Sequence, residues 1–387
     1  MAKTSVEVGG FCVGVDASRS RSGGAVAHIR GLMMGADPRD HGITCVHLWA
    51  HDALLDAVAD APWLIKHDVP ASRKSILRQM SWQRFVLPRL AQQMGVDVMF
   101  NTDAGSVYPC RPCVTLSQDM LSFEPGEMQR FPWPSRARIR LELLRVLQLH
   151  RLRQSSVPMF LTRHARNVIG QLTMLNDPRV IPHGIDERFL NLSRGRRSFP
   201  ASGKITCLYV SNAAPYKHQW HVVDALARLR ARTGYDLRLR LVGGGVGAAM
   251  KRLETAIAAH DPRGDFVERL AFVPNSQIID ELAAAQIFIF ASSCENLPIT
   301  LLEAMASGMP IASSDRGPMP EILGPDGFYF NPEDPESIAA VVECLIRDPF
   351  ARERSAADAR RRAETFTWSR CANESWRLLT SIAMQGK

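Results

Sequence analysis

No stretch of this 387-residue chain is long and apolar enough to cross a bilayer; the densest runs, such as Ala283–Phe290, are strand-sized, whereas a span needs about 20 residues. The opening residues, Met1 to Gly10, lack the apolar core of a secretory leader, so the expected location is cytoplasmic. The eight cysteines fit a reducing compartment: they are scattered, and Cys12, Cys45, Cys207 and Cys344 sit in apolar surroundings. Cys110-Arg-Pro-Cys113 has no second pair, and so does not make a zinc module. No clustered Asp-x-Asp or His-x-x-x-His pattern stands in a metal-binding setting, so no metal is expected. Aromatic residues are only 7% of the chain and no nucleic-acid module is recognisable, which argues against a nucleic-acid partner. Acidic residues are too few to balance the basic ones, 39 against 47. The net charge of +8 calls for anionic partners such as nucleotides or acidic lipid.

What is present is an alternation of strand-like and helix-like runs in two halves. That pattern predicts parallel sheets with crossover helices, and the length suits two domains. The first half offers strands at Phe11–Val15, Ile43–Leu48, Val96–Phe100, Cys113–Ser117 and Val157–Leu161, with a shorter one beginning at Arg179. Asn191 to Gly203 has linker composition. The second half offers strands at Ile205–Val210, Leu237–Val242, Phe266–Val273 and Ile287–Phe290, and helices at His218–Arg232 and Asn275–Ala285. The expected division is therefore a first domain over 1–190, a linker over 191–203 and a second domain over 204–368.

The most informative stretch follows Ile287–Phe290. Glu295 stands on the loop after that strand, and Glu303 stands inside the next helix. Pro298 suits the first helical position, Gly308 supplies a left-handed stop and Pro310 opens another apolar strand. The carboxyl end of a parallel strand, facing a helix N-terminus, is where α/β sheets bind anionic ligands.

This segment resembles the donor-binding signature of retaining glycosyltransferases of the GT-B type (family 4, group 1), which include sucrose synthase and many bacterial lipopolysaccharide mannosyl- and glucosyltransferases. The resemblance implies two facing Rossmann-like domains with a central cleft, and a C-terminal helix over 369–387 crossing back to brace the first domain. It implies that Glu295 binds the donor sugar's hydroxyls, Glu303 holds the ribose, and the backbone around Asn296, Leu297 and Ile299 meets the diphosphate. Lys217 occupies the place of the family's phosphate-binding lysine. The arginine that commonly accompanies it is replaced by Asn212. Gly23 and Gly24, in Ser22-Gly-Gly24, resemble the first-domain glycine loop near the donor phosphate. Gly243 and Gly244 end a strand without a dinucleotide fingerprint and read as a loop lining the donor site. Where many relatives carry a histidine near the reacting sugar, this chain has Gln118 and Asp119. An amide still hydrogen-bonds a hydroxyl but holds no proton at neutral pH. His183 reads as a turn residue as readily as a ligand contact, and Glu321 reads as ordering its loop rather than touching the donor.

Arg130 to Arg153 carries seven arginines, and from Ile139 its apolar residues follow helical spacing. Such a basic amphipathic helix can lie on a membrane surface, or can face a core with a solvated basic side. The expectation is a retaining glycosyltransferase, cytoplasmic or peripheral at the inner membrane face. It would move a hexose-type sugar from a nucleotide-diphosphate sugar to a glycan or lipid-linked saccharide, as in surface polysaccharide or O-antigen assembly. No further cofactor is expected, the nucleotide sugar being a substrate. The alternative is a catalytically silent protein of the same fold that binds nucleotide sugars or serves as a scaffold, which the Asn212 and Gln118 departures motivate.

Overall fold

The computed structural model describes residues 10–21, 23–70, 75–192, 199, 203–271 and 273–386. Ser22 and most of the expected linker lie outside the described residues. The chain forms two compact units: one comprises residues up to Asp119 with Ile139–Gly184 and the C-terminal stretch from Trp368, the other Met120–Arg138 with Ile185–Thr367. Residues 120–138 and 185–190, assigned to the first domain from sequence, thus group with the second unit.

The first unit is a seven-stranded parallel sheet. Its strands are β1 (Phe11–Asp16), β2 (Ile43–Ala50), β3 (Leu64–Asp68), β4 (Val98–Asn101), β5 (Cys113–Ser117), β6 (Val157–Phe160) and β7 (Arg179–Val180), in the order β3-β2-β1-β4-β5-β6-β7. On one face Trp49, Met99 and Cys113 pack against Leu87 and Ala91 of the helix Leu87–Gln93. The C-terminal helix Trp368–Gln385 belongs to this unit and lies against the helix Gly23–Gly35. That contact is close enough to require glycine: a Cβ on Gly31 would stand 2.0 Å from the Trp368 ring.

The second unit is a six-stranded parallel sheet of β8 (Ile205–Val210), β9 (Leu237–Val242), β10 (Val267–Leu270), β11 (Ile287–Phe290), β12 (Ile311–Ser314) and β13 (Phe328–Phe330), ordered β10-β9-β8-β11-β12-β13. Every residue of β11 and β12 is buried, as expected of parallel strands covered on both faces. In both sheets the order turns about the first strand, between β1 and β4 and between β8 and β11. Such a switch point leaves a crevice at the strands' carboxyl ends.

The helix read from the basic stretch begins at Arg136 and ends at Gln154, so Arg130 lies outside it, in a short 3-10 turn. Its amphipathicity differs from the expectation. Leu141, Gln148, Arg151 and Leu152 form the buried side, whereas Ile139, Leu143 and Val146 are 41%, 67% and 68% exposed. Of the two polar residues on that buried side, Arg151 donates to the Cys113 sulfur at 3.0 Å. Among the described residues no helix is long and apolar enough to cross a membrane.

Candidate functional site

The switch point of the second unit brings two loops side by side. The chain leaves β8 through residues 211–218 and leaves β11 through residues 291–298. The Ser293 N–H donates to the Tyr216 carbonyl at 2.8 Å, and the Ser293 hydroxyl donates to the same oxygen at 3.3 Å. The Tyr209 hydroxyl donates to the Lys217 carbonyl at 2.7 Å. Fixed in this way, the Lys217 ammonium pairs with the Glu295 carboxylate, the two side chains being only 16% and 14% exposed. Lys217 Nζ also stands 5.3 Å from the centre of the Tyr216 ring and 5.8 Å from that of Phe290, within cation–π range. A partly desolvated ammonium at the carboxyl end of a parallel sheet exerts more force on an anion than one in water.

The glycine loop after β9 is tied to the same place. Gly243 has φ +135° and a Cβ there would come within 2.4 Å of the Ser211 carbonyl oxygen, so no other residue fits without displacement. Gly244 donates its N–H to the Asn212 side-chain oxygen at 3.0 Å and accepts from the Ala213 N–H at 2.8 Å. Asn212 therefore positions the loop through its side-chain carbonyl.

On the β11 side, Asn296 and Leu297 are buried and Pro298 caps the helix Ile299–Ala306, one position earlier than its expected first-turn place. Ile299 opens the helix, and Glu303, one turn further on, is 3% exposed. Its charge adds to that of Asp186, the larger influence, in holding the Arg188 guanidinium above its ordinary value. Lys217, Glu295, Asn212, Gly243, Gly244, Asn296, Leu297, Ile299 and Glu303 thus all belong to the loops and first helical turns around one switch point.

Residues not assigned to the donor site from sequence extend it. His218 adopts a left-handed φ of 49° before the helix Gln219–Thr233 and sits within 2.9 Å of the Ser293 hydroxyl through Nε2. Burial first, then the charge of Arg130, pushes its pKa down to about 3, so it is neutral at ordinary pH. Arg130 lines a cavity of about 560 Å³ together with Ser293, Arg316 and Glu333. Within it Arg130 grips Glu127 through two bonds of 2.7 and 3.1 Å and Glu333 through one of 2.8 Å. These residues come together by tertiary packing, 203 positions apart in the case of Arg130 and Glu333, and no local motif marks them.

Of the remaining expected residues, Glu321 lies in the second unit, in the helix Met319–Leu323, and the others lie in the first. Gly23, at φ +58°, and Gly24 open the helix Gly23–Gly35. Gln118 follows β5 and donates its amide N–H to the Thr102 carbonyl at 3.2 Å, and Asp119 beside it is exposed. His183 is buried and its Nδ1 meets His28 Nδ1 at 3.0 Å. At this unit's own switch point the buried Asp16 accepts from the Ser18 hydroxyl at 2.6 Å and the Gln83 amide at 2.6 Å. Its burial raises the carboxyl pKa against the lowering effect of those bonds.

Residues 195–362 match the family model described as glycosyl transferases group 1. The chain is 31% identical over 205 residues to an MMP alpha-(1->4)-mannosyltransferase of Mycolicibacterium hassiacum, covering 51% of this chain and 46% of that protein. It is 26% identical over 168 residues to O-antigen chain mannosyltransferase B of Escherichia coli, covering 43% and 44%. The chain thus spans about half the length of the curated relatives it matches. Sucrose-phosphate synthase from Thermosynechococcus elongatus superposes with a TM-score of 0.79 at 16% identity, over 97% of this chain and 100% of that one. Anabaena HepE, solved in complex with UDP and glucose, superposes with a TM-score of 0.71 at 17% identity, over 96% and 100%. At such identities the structural likeness establishes the fold alone.

Proposed function

We propose that the chain, whose residues 195–362 match the glycosyl transferases group 1 and whose fold is GT-B, is a retaining hexosyltransferase. Its donor is a nucleotide-diphosphate sugar held by the second unit, and its acceptor a saccharide or lipid-linked saccharide taken by the first. The single observation that carries this reading is the pairing of Lys217 with Glu295 at the switch point. Lys217 faces the diphosphate, whose charge grows as the glycosidic bond breaks, so its attraction strengthens towards the transition state. Glu295 accepts from hydroxyls of the transferred sugar, Glu303 from those of the ribose, and the N–H groups between Asn296 and Ile299 meet the phosphates. Gln118, Asp119, Gly23 and Gly24 belong to the first unit, where Gln118 and Asp119 offer groups that hydrogen-bond hydroxyls. Mannose is the favoured sugar, since mannosyltransferases recur among the relatives, and assembly of surface polysaccharide such as O-antigen is the favoured setting.

The helix Arg136–Gln154 supports an acceptor at a membrane face. Ile139, Leu143 and Val146 follow one another at helical spacing on its solvent side, in company with Arg136, Arg140 and Arg153. That combination suits an anionic lipid surface.

The test is thermal stability against a panel of nucleoside diphosphates and their sugar conjugates. A ligand at 100 times its dissociation constant stabilises by about 2.7 kcal/mol. A shift with one base, lost in Lys217→Ala, is the expected result. No shift with any nucleotide would overturn the donor assignment and leave a catalytically silent protein of the same fold.

A further inference from the structure

At the amino-terminal half of the first unit's sheet, away from the ligand-binding ends of its strands, two thiols and an imidazole converge. The parallel register sets Cys12 of β1 directly opposite Cys45 of β2. Side chains two residues apart on a strand share a face, so His47 follows Cys45 on the same side. The Cys12 and Cys45 sulfurs and a His47 ring nitrogen all lie within 4.8 Å of one another. His47 Nε2 is 3.3 Å from Cys45 Sγ, and its Nδ1 is 2.8 Å from His67 Nε2 on β3. His47 is 6% exposed, both cysteines are half-buried, and Trp49 stacks against both imidazoles at 5.8 and 5.2 Å.

We propose that Cys12, Cys45 and His47 form a site for a thiophilic divalent cation of the zinc class. Metal–sulfur bonds of about 2.3 Å and metal–nitrogen bonds of about 2.0 Å in a tetrahedron require ligand atoms about 3.5–3.8 Å apart. The observed separations, all within 4.8 Å, differ from that spacing by at most about 1.3 Å. Two sulfurs and one nitrogen are the donor set that favours zinc over the harder calcium and magnesium. The hydrogen bond to His67 fixes the ring of His47: with the Nδ1 proton given to His67, the Nε2 lone pair points to the cysteines. Metal-binding histidines are held by second partners of this kind. A fourth position remains for water or a small ligand. The bound ion would pin β1 to β2, and through His67 to the edge strand β3, and it is independent of the donor assignment. No local motif marks this site, because Cys12 and Cys45 are 33 positions apart and meet only through strand register.

Cadmium titration of the full-length, chelator-treated protein tests this, carried out in a Cys110→Ser/Cys344→Ser background because those two thiols are exposed. One equivalent should bind with a thiolate-to-cadmium charge-transfer band, and the band should vanish in Cys12→Ser and in Cys45→Ser. His67→Gln keeps all three ligands and should weaken binding by about 10- to 100-fold with the band retained. That variant serves as the test if a cysteine variant does not fold. Absence of the band, its survival without Cys12 and Cys45, or unchanged affinity in His67→Gln would overturn the site. Nucleotide-dependent thermal shifts, measured beside it, report separately on the donor site.

Discussion

In the sequence, Glu295 stands out because a strand followed by a polar loop and a helix start announces a ligand-binding end, whereas Lys217 stands out only through the family resemblance. Their pairing is not legible there, since 78 positions separate them and only the β8–β11 neighbourhood makes them meet. The same holds for His218, whose left-handed backbone and bond to Ser293 leave no mark on the sequence. The pair yields a sharp expectation. Lys217→Ala removes a charge aimed at the leaving diphosphate, and losing one such group costs about 10²- to 10³-fold in kcat. Glu295→Gln keeps the shape but weakens acceptance from sugar hydroxyls, so it should lower turnover with the sugar nucleotide while leaving affinity for the nucleoside diphosphate alone nearly unchanged. Steady-state kinetics beside diphosphate binding separates the two roles. Equal loss of diphosphate affinity in both variants would remove the division of labour.

At the scale of elements, four strands rich in apolar residues match their expected bounds: Cys113–Ser117, Ile205–Val210, Leu237–Val242 and Ile287–Phe290. Two strands were missed. β3, Leu-Ile-Lys-His-Asp, lies at a sheet edge and is half-exposed along most of its length, so it lacks the buried-strand signature. β13 is three residues long, too short for any periodicity. The C-terminal helix was legible, but its seat was not, because close helix contact is written in glycine positions whose partners are remote. Gly31 is such a position. Gly31→Ala adds a Cβ 2.0 Å from the Trp368 ring, and overpacking of this kind costs about 1–3 kcal/mol. Thermal denaturation should show a lowered midpoint, although alanine is the better helix former. An unchanged or raised midpoint would mean that the contact yields without cost.

For the molecule as a whole, histidine burial sets the response to acid and net charge sets the response to surfaces. His28 is driven down to about 4 by burial, and His183 is lowered by burial and by its neighbour His28, while His218 stands at about 3. An unfolded histidine takes up its proton near pH 6.5, so between that value and the folded pKa the unfolded state holds more protons. Stability is therefore full above about pH 6.5 and falls as the pH drops towards 4. For His28 the loss at pH 4.5 is on the order of 2–3 kcal/mol. Denaturant midpoints at pH 7.5 and 4.5 should differ by less in His28→Gln than in the wild type, and an equal difference would assign the acid response elsewhere. The net charge of +8 acts on the outside, where the helix Arg136–Gln154 places apolar side chains among arginines in water. A folded chain gains nothing from exposing Leu143 and Val146 to about two-thirds of their full area unless another phase covers them. Attraction of arginines to anionic lipid works over about 8–10 Å at physiological salt, and insertion of the apolar residues then holds the contact. Sedimentation with vesicles should show binding to phosphatidylglycerol-containing membranes and little to neutral ones, weakened by salt. Leu143→Asp/Val146→Asp should abolish it at any salt while leaving nucleotide-dependent thermal shifts intact. Binding that survives this double variant would place the membrane contact on another surface, and failure to bind anionic vesicles would favour a soluble acceptor.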